Sequence, residues 1–435
     1  MMSKEEAKIN QEMQMLRKYQ APRKSESFDQ TESRKLLIVG IKPNIPDLNE
    51  EACYDLEEEE KTELTESFQT RAGLNNHDAG YVDPTLNYEL KVEIFSRLSC
   101  FEHWKLQFLN KKCLQLLKSG DIFRVRKEQG LVKAYVIMHT GGRSSWQMFD
   151  KDFENFRRLP NVPSSDYTFF HSDKETISVG TQLIVIGTEL EGTVVWRYEL
   201  ENHKWFRGPS MISPRVMYGS ASWGSNAFFA GGIKMDDNMV PVVVSTVEKY
   251  NSDTKMWTML NGMHKRRKFS SGCFLGGKFY VIGGRDENDE NLTCGEIYDE
   301  ANSSWELIPD MLKDITFMSS QSPPLIAVVE DNLYLLDSYL NELRVYDKNA
   351  NIWKKLGFVP VNVNSAFGWG VAFKSIGDRL LLVGPSSSNS WDRRTVFYTC
   401  RPSPGAKDQH WKELKLSCNG VEFPQFIHNC SVMFA

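Results

Sequence analysis

Apolar residues recur at helical spacing between about residues 83 and 128. At the start of this segment they stand four residues apart, as on one face of an α-helix: Leu86, Leu90, Ile94 and Leu98, with Phe95 beside them. Ser99 with Glu102 three residues later fits a capping box, so a second helix is expected to begin there. That helix would carry Trp104, Leu106, Phe108 and Leu109.

A third helix is predicted around Leu114 and Leu117, ending at Ser119-Gly120, where glycine favours a left-handed turn. Three short helices in about 45 residues bury too little apolar surface to be very stable alone. We therefore expect this helical module to depend on a partner.

From Val132 onward the pattern changes to short strands, and it repeats. An aromatic residue is followed seven positions later by another in five units: Phe149/Phe156, Tyr198/Trp205, Tyr250/Trp257, Tyr298/Trp305 and Tyr346/Trp353. Tyr398 begins a sixth unit, in which the tryptophan is displaced to Trp411. A repeat of about 50 residues that carries four short strands is typical of a β-propeller blade. The aromatic series therefore predicts six blades.

An apolar strand precedes the aromatic residue of each unit. In three units this strand ends in paired glycine, at Gly142, Gly232 and Gly284. The equivalent pairs at Gly187-Thr188, Leu336-Asp337 and Gly384-Pro385 are degenerate, which leaves five blades as the alternative. The first unit lacks its first strand, and the last strand of the chain has no strand after it. We predict that Phe423–Phe434 pairs beside Lys133–His139, because an unclosed ring would expose a strand edge.

The N-terminal segment has a different character. Residues 1–80 contain 11 Lys or Arg and 17 Asp or Glu, including the acidic run Glu57–Glu60, and are predicted to be disordered. One apolar island, Leu36–Ile41, is either a docking strand or short linear motif, or a residual apolar patch in a flexible tail.

Two parts of the chain resemble known families. Residues 133–435 resemble kelch repeats, in which a glycine pair closes the second strand and the Tyr and Trp bracket the turn from third to fourth. Residues 86–123 resemble an F-box in a series of apolar and charged positions: Leu86, Glu89-Leu90, Ile94-Phe95 and Arg97-Leu98, followed by a leucine-rich stretch. Asn87 stands where an F-box usually has proline. This order is similar to the plant F-box/kelch-repeat family.

The resemblance implies a mainly β fold: a six-bladed kelch β-propeller (131–435) behind a small three-helix F-box module (81–130) and a disordered acidic tail (1–80). It also implies that the F-box binds the Skp adaptor, and through it a cullin, while the propeller binds a protein substrate of the ubiquitin ligase. The adaptor-binding residues would be Leu86, Leu90, Ile94, Phe95, Leu98, Leu106, Phe108 and Leu109.

Loops after the second strand of a blade and loops between blades emerge on the same rim, because neighbouring strands are antiparallel. This rim offers charged and aromatic side chains of the kind that anchor interfaces: Arg143, Arg215, Arg266, Arg267, Arg285 and Trp391. We predict that the substrate docks there. The basic run His264–Lys268 is either a solvated loop or an anchor for an acidic substrate.

Other functional classes receive less support. None of the eight histidines has Asp four and Glu eight residues before it, the iron motif of specifier proteins that resemble this fold, and His139, His171 and His203 stand singly. No G-x-S-x-G, H-E-x-x-H or P-loop pattern occurs. We expect neither a metal nor a cofactor. A kelch scaffold without a ligase role and a propeller enzyme remain as alternatives.

Charge and cysteine content narrow the partners and the compartment. A net charge of −5 argues against nucleic acid as a partner. Eight cysteines without a C-x-x-C pair are typical of buried thiols in a reducing compartment, and no apolar run is long enough for a membrane span or a secretory signal. The expected location is the cytoplasm, the nucleus or both.

Overall fold

A computed structural model describes residues 87–106, 108–140, 146–317, 321–364, 367–386, 394–406, 408–416 and 426–435. The predicted tail, residues 1–80, and its apolar island lie outside them.

Between residue 87 and the first strand the structure describes four helices: α1 (Tyr88–Ser96), α2 (Cys100–Leu106), α3 (Lys111–Lys118) and α4 (Asp121–Glu128). Asn87 caps α1, since its side-chain oxygen accepts a hydrogen bond from the Leu90 amide at 2.8 Å. A cap is therefore present where the F-box pattern usually has proline. Helix α2 stops at Leu106, so Phe108 lies beyond it in a turn.

The fourth helix was not among the three predicted. Gly120 has φ of 79° and makes the left-handed turn expected after α3, but the chain re-enters a helix at the next residue. The predicted end of the third helix is thus confirmed, whereas the chain beyond it is helical as far as Glu128.

Six four-stranded antiparallel sheets follow, which confirms the propeller and its six blades. The first blade contains β1 (Ala134–Thr140), β2 (Gln147–Asp150) and β3 (Phe156–Arg158). The second contains β4 (Glu175–Val179), β5 (Gln182–Glu189), β6 (Gly192–Glu199) and β7 (Lys204–Arg207). The third contains β8 (Gly219–Trp223), β9 (Asn226–Ala230), β12 (Val247–Asn251) and β13 (Met256–Leu260). A short helix, α5 (Tyr167–His171), lies between the first two blades. An additional hairpin of β10 (Ile233–Met235) and β11 (Pro241–Val243) extends from the third.

The remaining blades are regular. The fourth contains β14 (Ser271–Leu275), β15 (Lys278–Ile282), β16 (Gly295–Asp299) and β17 (Ser304–Ile308). The fifth contains β18 (Leu325–Val329), β19 (Asn332–Asp337), β20 (Glu342–Asp347) and β21 (Ile352–Phe358). The sixth contains β22 (Ala372–Ser375), β23 (Leu380–Pro385), β24 (Thr395–Cys400) and β25 (Lys412–Glu413). The apolar core lies between neighbouring sheets, as between the second and third blades, where Val179 and Ile184 share a cluster with Phe229.

The chain closes the ring with its last strand, β26 (Ile427–Phe434), which pairs antiparallel with β1 and completes the first blade. Lys133 and Ala435 extend this ladder by exchanging two main-chain hydrogen bonds, of 2.9 and 3.0 Å. The predicted pairing of the C-terminal segment is confirmed from Ile427 onward, and residues 423–425 lie outside the described chain.

The seven-residue aromatic spacing has a direct structural cause. Tyr298 and Trp305 lie opposite each other on the paired strands β16 and β17, with ring centroids 5.1 Å apart. The Trp305 indole N–H also donates a 2.8 Å hydrogen bond to the carbonyl of Asn261, in the loop that precedes this blade. Equivalent bonds are made by Trp205, Trp257 and Trp353, so this tryptophan fastens each of these blades to the preceding inter-blade loop.

The paired glycines are required by close approach of the backbone. Gly284 has φ of +92°, and a Cβ atom there would lie 2.5 Å from the carbonyl oxygen of Lys268. Gly232, its equivalent in the third blade, would meet the carbonyl of Val216 at the same distance. Only glycine fits both the conformation and the space.

Candidate functional site

One face of the helical module is buried against the propeller. Its apolar side chains share a single cluster with the first blade: Val92, Leu106, Leu116, Leu117, Ile122 and Phe123 with Tyr135, Ile137 and Met433. The module that looked too small to fold alone therefore obtains its core from β1 and β26. The propeller of the same chain therefore supplies apolar surface on which the helical module packs.

Two aromatic contacts hold α2 to the propeller. The Phe101 and Tyr135 rings meet edge to face, with centroids 5.6 Å apart, and the Tyr135 hydroxyl accepts a 3.4 Å hydrogen bond from the Cys100 amide. The Arg157 guanidinium on β3 lies 5.3 Å from the Trp104 ring, within cation–π range. Burial raises the pKa of the Cys100 thiol, so this thiol stays protonated at neutral pH.

Four of the predicted adaptor-binding side chains remain exposed on the module. Leu90 and Ile94 on α1 are 45% and 42% exposed, and Phe108 and Leu109 after α2 are 67% and 64% exposed. Of the other predicted adaptor-binding residues, Phe95 and Leu98 are half-buried, Leu106 is buried in the shared core, and Leu86 lies outside the described chain. The structure therefore divides the predicted set into an outer patch, consisting of Leu90, Ile94, Phe108 and Leu109, and inner packing residues.

His103 lies in the interior of the module. Its Nε2 is 3.0 Å from the carbonyl oxygen of Phe95, which connects α2 to the end of α1. Burial lowers the pKa of His103 from 6.5 to about 4, with a smaller lowering by the nearby Arg126 cation. The imidazole is consequently neutral at physiological pH, and its Nε2–H is the donor to Phe95.

The helices and the longer loops occupy opposite ends of the propeller. The helices join the ring where β1 begins and β26 ends, at Lys133 and Ala435. Because strands alternate in direction, the loops after each second strand and those between blades emerge at the other end. We call this end the open rim; it includes the within-blade loops 231–246, 283–294 and 338–341 and the inter-blade loops 208–218, 261–270 and 309–317.

Two of the predicted substrate anchors on the open rim do not reach the surface. The Arg215 and Arg267 side chains are fully buried, and each forms an ion pair with a fully buried glutamate of its own blade, Glu248 and Glu296 respectively. Arg267 also donates to the carbonyl of Gly283 at 2.8 Å. These two arginines bind buried loop carbonyls and carboxylates, so their side chains are not exposed for the substrate contact that the sequence predicted.

The basic run His264–Lys268 is therefore divided between interior and surface. His264 and Lys265 donate main-chain hydrogen bonds to Glu296, and Lys268 pairs with Asp289 at 2.8 Å. Arg266 is exposed, as is the Lys265 side chain. Among the lysines and arginines of this run, Lys265 and Arg266 are thus the two whose charged side chains are exposed and accessible to an acidic partner.

The other predicted anchors have different outcomes. The Arg285 side chain is 13% exposed; its guanidinium lies 5.7 Å from the Phe269 ring and 4.0 Å from Asp289. Arg143 and Trp391 lie outside the described residues. A role for Arg266 and Arg285 in substrate binding stays a prediction.

The open rim also exposes apolar side chains that the sequence had not singled out. The β10–β11 hairpin carries Met235, Met239 and Val240, which are 58%, 74% and 52% exposed. Tyr339 and Phe367 border a groove of the fifth blade together with Gln321, Ser338 and Asn364. The sequence signal was the length of this loop: residues 231–246, after the second strand of the third blade, outnumber the equivalent residues 283–294 and 338–341 of the next two blades.

The single histidines make packing contacts. His203 Nδ1 lies 2.6 Å from the Tyr198 hydroxyl, and His139 packs against Trp146 with ring centroids 4.9 Å apart. Across the described part of the chain, no three His, Cys, Asp or Glu side chains come together as a metal site. None of the helices described is both long and apolar enough to cross a bilayer.

Comparisons with known proteins identify the same combination. A kelch-motif family model matches residues 266–312. One F-box/kelch-repeat protein of Arabidopsis thaliana is 53% identical over 395 residues, which cover 90% of this chain and 93% of that relative. A second F-box/kelch-repeat protein of this plant is 34% identical over 387 residues, 85% of this chain and 87% of its own. F-box/kelch-repeat protein SKIP11, also from Arabidopsis thaliana, is 35% identical over 359 residues, covering 79% and 73%.

Proposed function

The chain belongs to the F-box/kelch-repeat family, and we propose that it is the substrate-recognition subunit of a Skp–cullin–F-box ubiquitin ligase. In this role the helical module binds the Skp adaptor, and through it a cullin, while the open rim of the propeller binds the protein to be ubiquitinated. The chain is then a non-catalytic connector, because the ubiquitin-transfer chemistry takes place on other subunits.

The observation that carries this proposal is the outer patch of the helical module. Leu90, Ile94, Phe108 and Leu109 stay exposed although the module has already packed its inner face on the propeller. Large apolar side chains that a folded module leaves exposed are candidates for an interaction site. A helical face of this kind fits a hydrophobic groove on a partner, as expected for an adaptor.

The open rim supports the second half of the proposal. It is held rigidly by buried ion pairs such as Arg267–Glu296, yet it presents exposed Met239, Tyr339 and Arg266. Exposed loops on a rigid framework are suited to recognition, because binding then costs little ordering entropy. The substrate is proposed to be a protein that docks at this end, away from the helices.

We place this activity in the cytoplasm, the nucleus or both. Six cysteines that the structure describes are free thiols, four of them buried, which suits a reducing compartment. A fluorescent fusion of the whole protein in plant cells tests this location, and a fusion confined to the secretory pathway would contradict it.

The proposal is tested by adaptor binding to the full chain. An isolated fragment of about residues 80–130 would lack the first blade, from which the module obtains its core, so the whole protein is the right reagent. We expect the purified chain to form a one-to-one complex with a plant Skp adaptor on a sizing column. Absence of a complex at micromolar concentration would instead favour a kelch scaffold without a ligase role.

A further inference from the structure

Arg126, on α4, is the most deeply buried charge of the helical module. Its side chain is 2% exposed, and its guanidinium donates to four main-chain carbonyls. Two of them, Ser96 at 2.8 Å and Leu98 at 2.7 Å, lie at the end of α1. The other two are Leu131 at 3.2 Å, in the connection to the propeller, and Ala435 at 3.1 Å, beside the closing strand.

Burying the Arg126 guanidinium costs free energy of folding, which its hydrogen bonds must offset. A buried guanidinium loses its hydration, and hydrogen bonds to fixed acceptors must replace it. The negative end of the α1 dipole, at Ser96 and Leu98, offsets part of this cost. The remaining stabilisation depends on holding Leu131 and Ala435 in place, so the two terminal nitrogens make all four bonds in one relative arrangement of module and ring, while Nε is buried without a hydrogen-bond partner among the described residues.

The residues joined by Arg126 belong to three different parts of the molecule. Ser96 and Leu98 end the helix that carries Leu90 and Ile94 of the outer patch, whereas Ala435 continues β26, the strand that closes the propeller. A lysine could not replace this joint, because an ammonium group has three donors from one point and the guanidinium has five in a planar fork.

We propose that Arg126 is the positioning residue of the molecule: it sets the orientation of the outer patch relative to the open rim and holds the closing strand in place. The orientation part rests on the proposed function, since it fixes the distance from adaptor to substrate. The closing-strand part does not, because it concerns the free chain alone.

The closing-strand part is tested by hydrogen exchange on the full-length Arg126→Met variant, which keeps the side-chain length and removes the donors. We expect the amides of α1, β1 and β26 to exchange at least about tenfold faster than in the wild type, because a charge-assisted buried bond contributes more than a neutral one. The amides of the third to fifth blades should be unchanged. Arg124→Met is the matched control, since Arg124 lies on the same helix and its side chain is 59% exposed.

A uniform acceleration over all six blades would show that Arg126 merely adds global stability, and an unchanged pattern would show that it does not hold β26; either result overturns the proposal. If Arg126→Met fails to fold, Arg126→Lys retains the charge and some of the bonds. It should give the same regional pattern at a smaller amplitude, and a different regional pattern would again overturn the proposal.

The orientation part is tested by small-angle scattering of the chain bound to the Skp adaptor. We expect Arg126→Met to bind the adaptor within about threefold of the wild type, because it leaves the outer patch intact, while the maximum dimension of the complex becomes larger and less defined. A scattering curve identical to that of the wild-type complex overturns this part. A wild type that binds no adaptor would instead refute the proposed function, and the exchange result would still decide the role of Arg126 at the closing strand.

Discussion

Arg267 and Glu296 form an ion pair of 2.6 Å in which both side chains are fully buried. Glu296 also accepts main-chain hydrogen bonds from His264 and Lys265, so the pair organises the whole inter-blade loop before the fourth blade. Arg215 and Glu248 repeat the arrangement one blade earlier. The basic run His264–Lys268 therefore includes one buried arginine, Arg267, whose ion pair with Glu296 stabilises this loop of the open rim.

This pair predicts a sharp contrast between two adjacent arginines. Arg267→Met leaves Glu296 buried without its guanidinium partner and should lower the free energy of unfolding by about 3–5 kcal/mol. Arg266→Met changes an exposed side chain and should alter it by less than about 0.5 kcal/mol. Urea denaturation of both variants measures the difference. Equal effects would mean that the Arg267 side chain is not held as described.

Charge reversal of Arg266 and Arg267 together would for this reason confound substrate capture with unfolding. The informative variant is Lys265→Glu with Arg266→Glu, since both side chains point outward. We expect it to weaken capture of an acidic substrate while the melting temperature stays within about 2 °C of the wild type. Unchanged capture of such a substrate, once identified by cross-linking to the open rim, would place the contact on another loop.

Closure of the ring predicts a second contrast between neighbours on β26. Met433 is fully buried between the first blade and the helices, whereas Phe434 is 49% exposed. Met433→Ala should cost about 2–5 kcal/mol of unfolding free energy, and Phe434→Ala much less. Removing residues 431–435 should destabilise all six blades, because it exposes two strand edges and breaks the Ser431–Ser178 hydroxyl contact of 2.8 Å. Thermal unfolding of the three variants tests the order, which would be contradicted by a truncated ring as stable as the wild type.

His103 predicts a dependence of stability on pH. Its folded pKa of about 4 lies below the unfolded value of 6.5, so the unfolded chain binds more protons between these values. The stability from the neutral imidazole is fully present above about pH 6.5 and is lost as the pH falls towards 4. Between pH 7.5 and 5 the loss should be about 2 kcal/mol. His103→Gln keeps a donor towards Phe95 and should remove this component, as measured by urea denaturation at both pH values. An identical pH dependence in the variant would contradict the assignment.

The sequence predicted those features that repeat or have a period. The Tyr298/Trp305 spacing reflects two residues directly opposite on a hairpin, and the α1 face follows from helical spacing, so both could be read from local pattern. The same repetition held an unused signal for the buried arginines. Arg215 and Arg267 occupy equivalent places in successive blades, as do Glu248 and Glu296. A substrate anchor need not recur in this way, whereas a structural ion pair does.

Other features could not be predicted from the sequence, because they depend on contacts between distant segments. The acceptors of Arg126 are main-chain oxygens that any residue provides, and one of them lies 309 residues away. Likewise, Leu106 and Leu90 belong to similar apolar stretches, yet Leu106 is buried in the cluster shared with the first blade and Leu90 is exposed. Which apolar side chains of the module are free for a partner is decided by how the helices pack on the propeller.

The most direct test of the account is the affinity of the full chain for the Skp adaptor when the outer patch is reduced. We predict that Leu90→Ala with Ile94→Ala weakens binding by at least about tenfold, since central apolar anchors of an interface cost more than 1 kcal/mol each. Because both side chains are already 45% and 42% exposed, the propeller should unfold at the wild-type temperature. Met256→Ala with Met259→Ala, on the exposed outer strand β13, is the matched control and should bind as the wild type does. Wild-type affinity in the Leu90/Ile94 variant, measured by titration calorimetry, would contradict the assignment of this patch as the adaptor-binding surface.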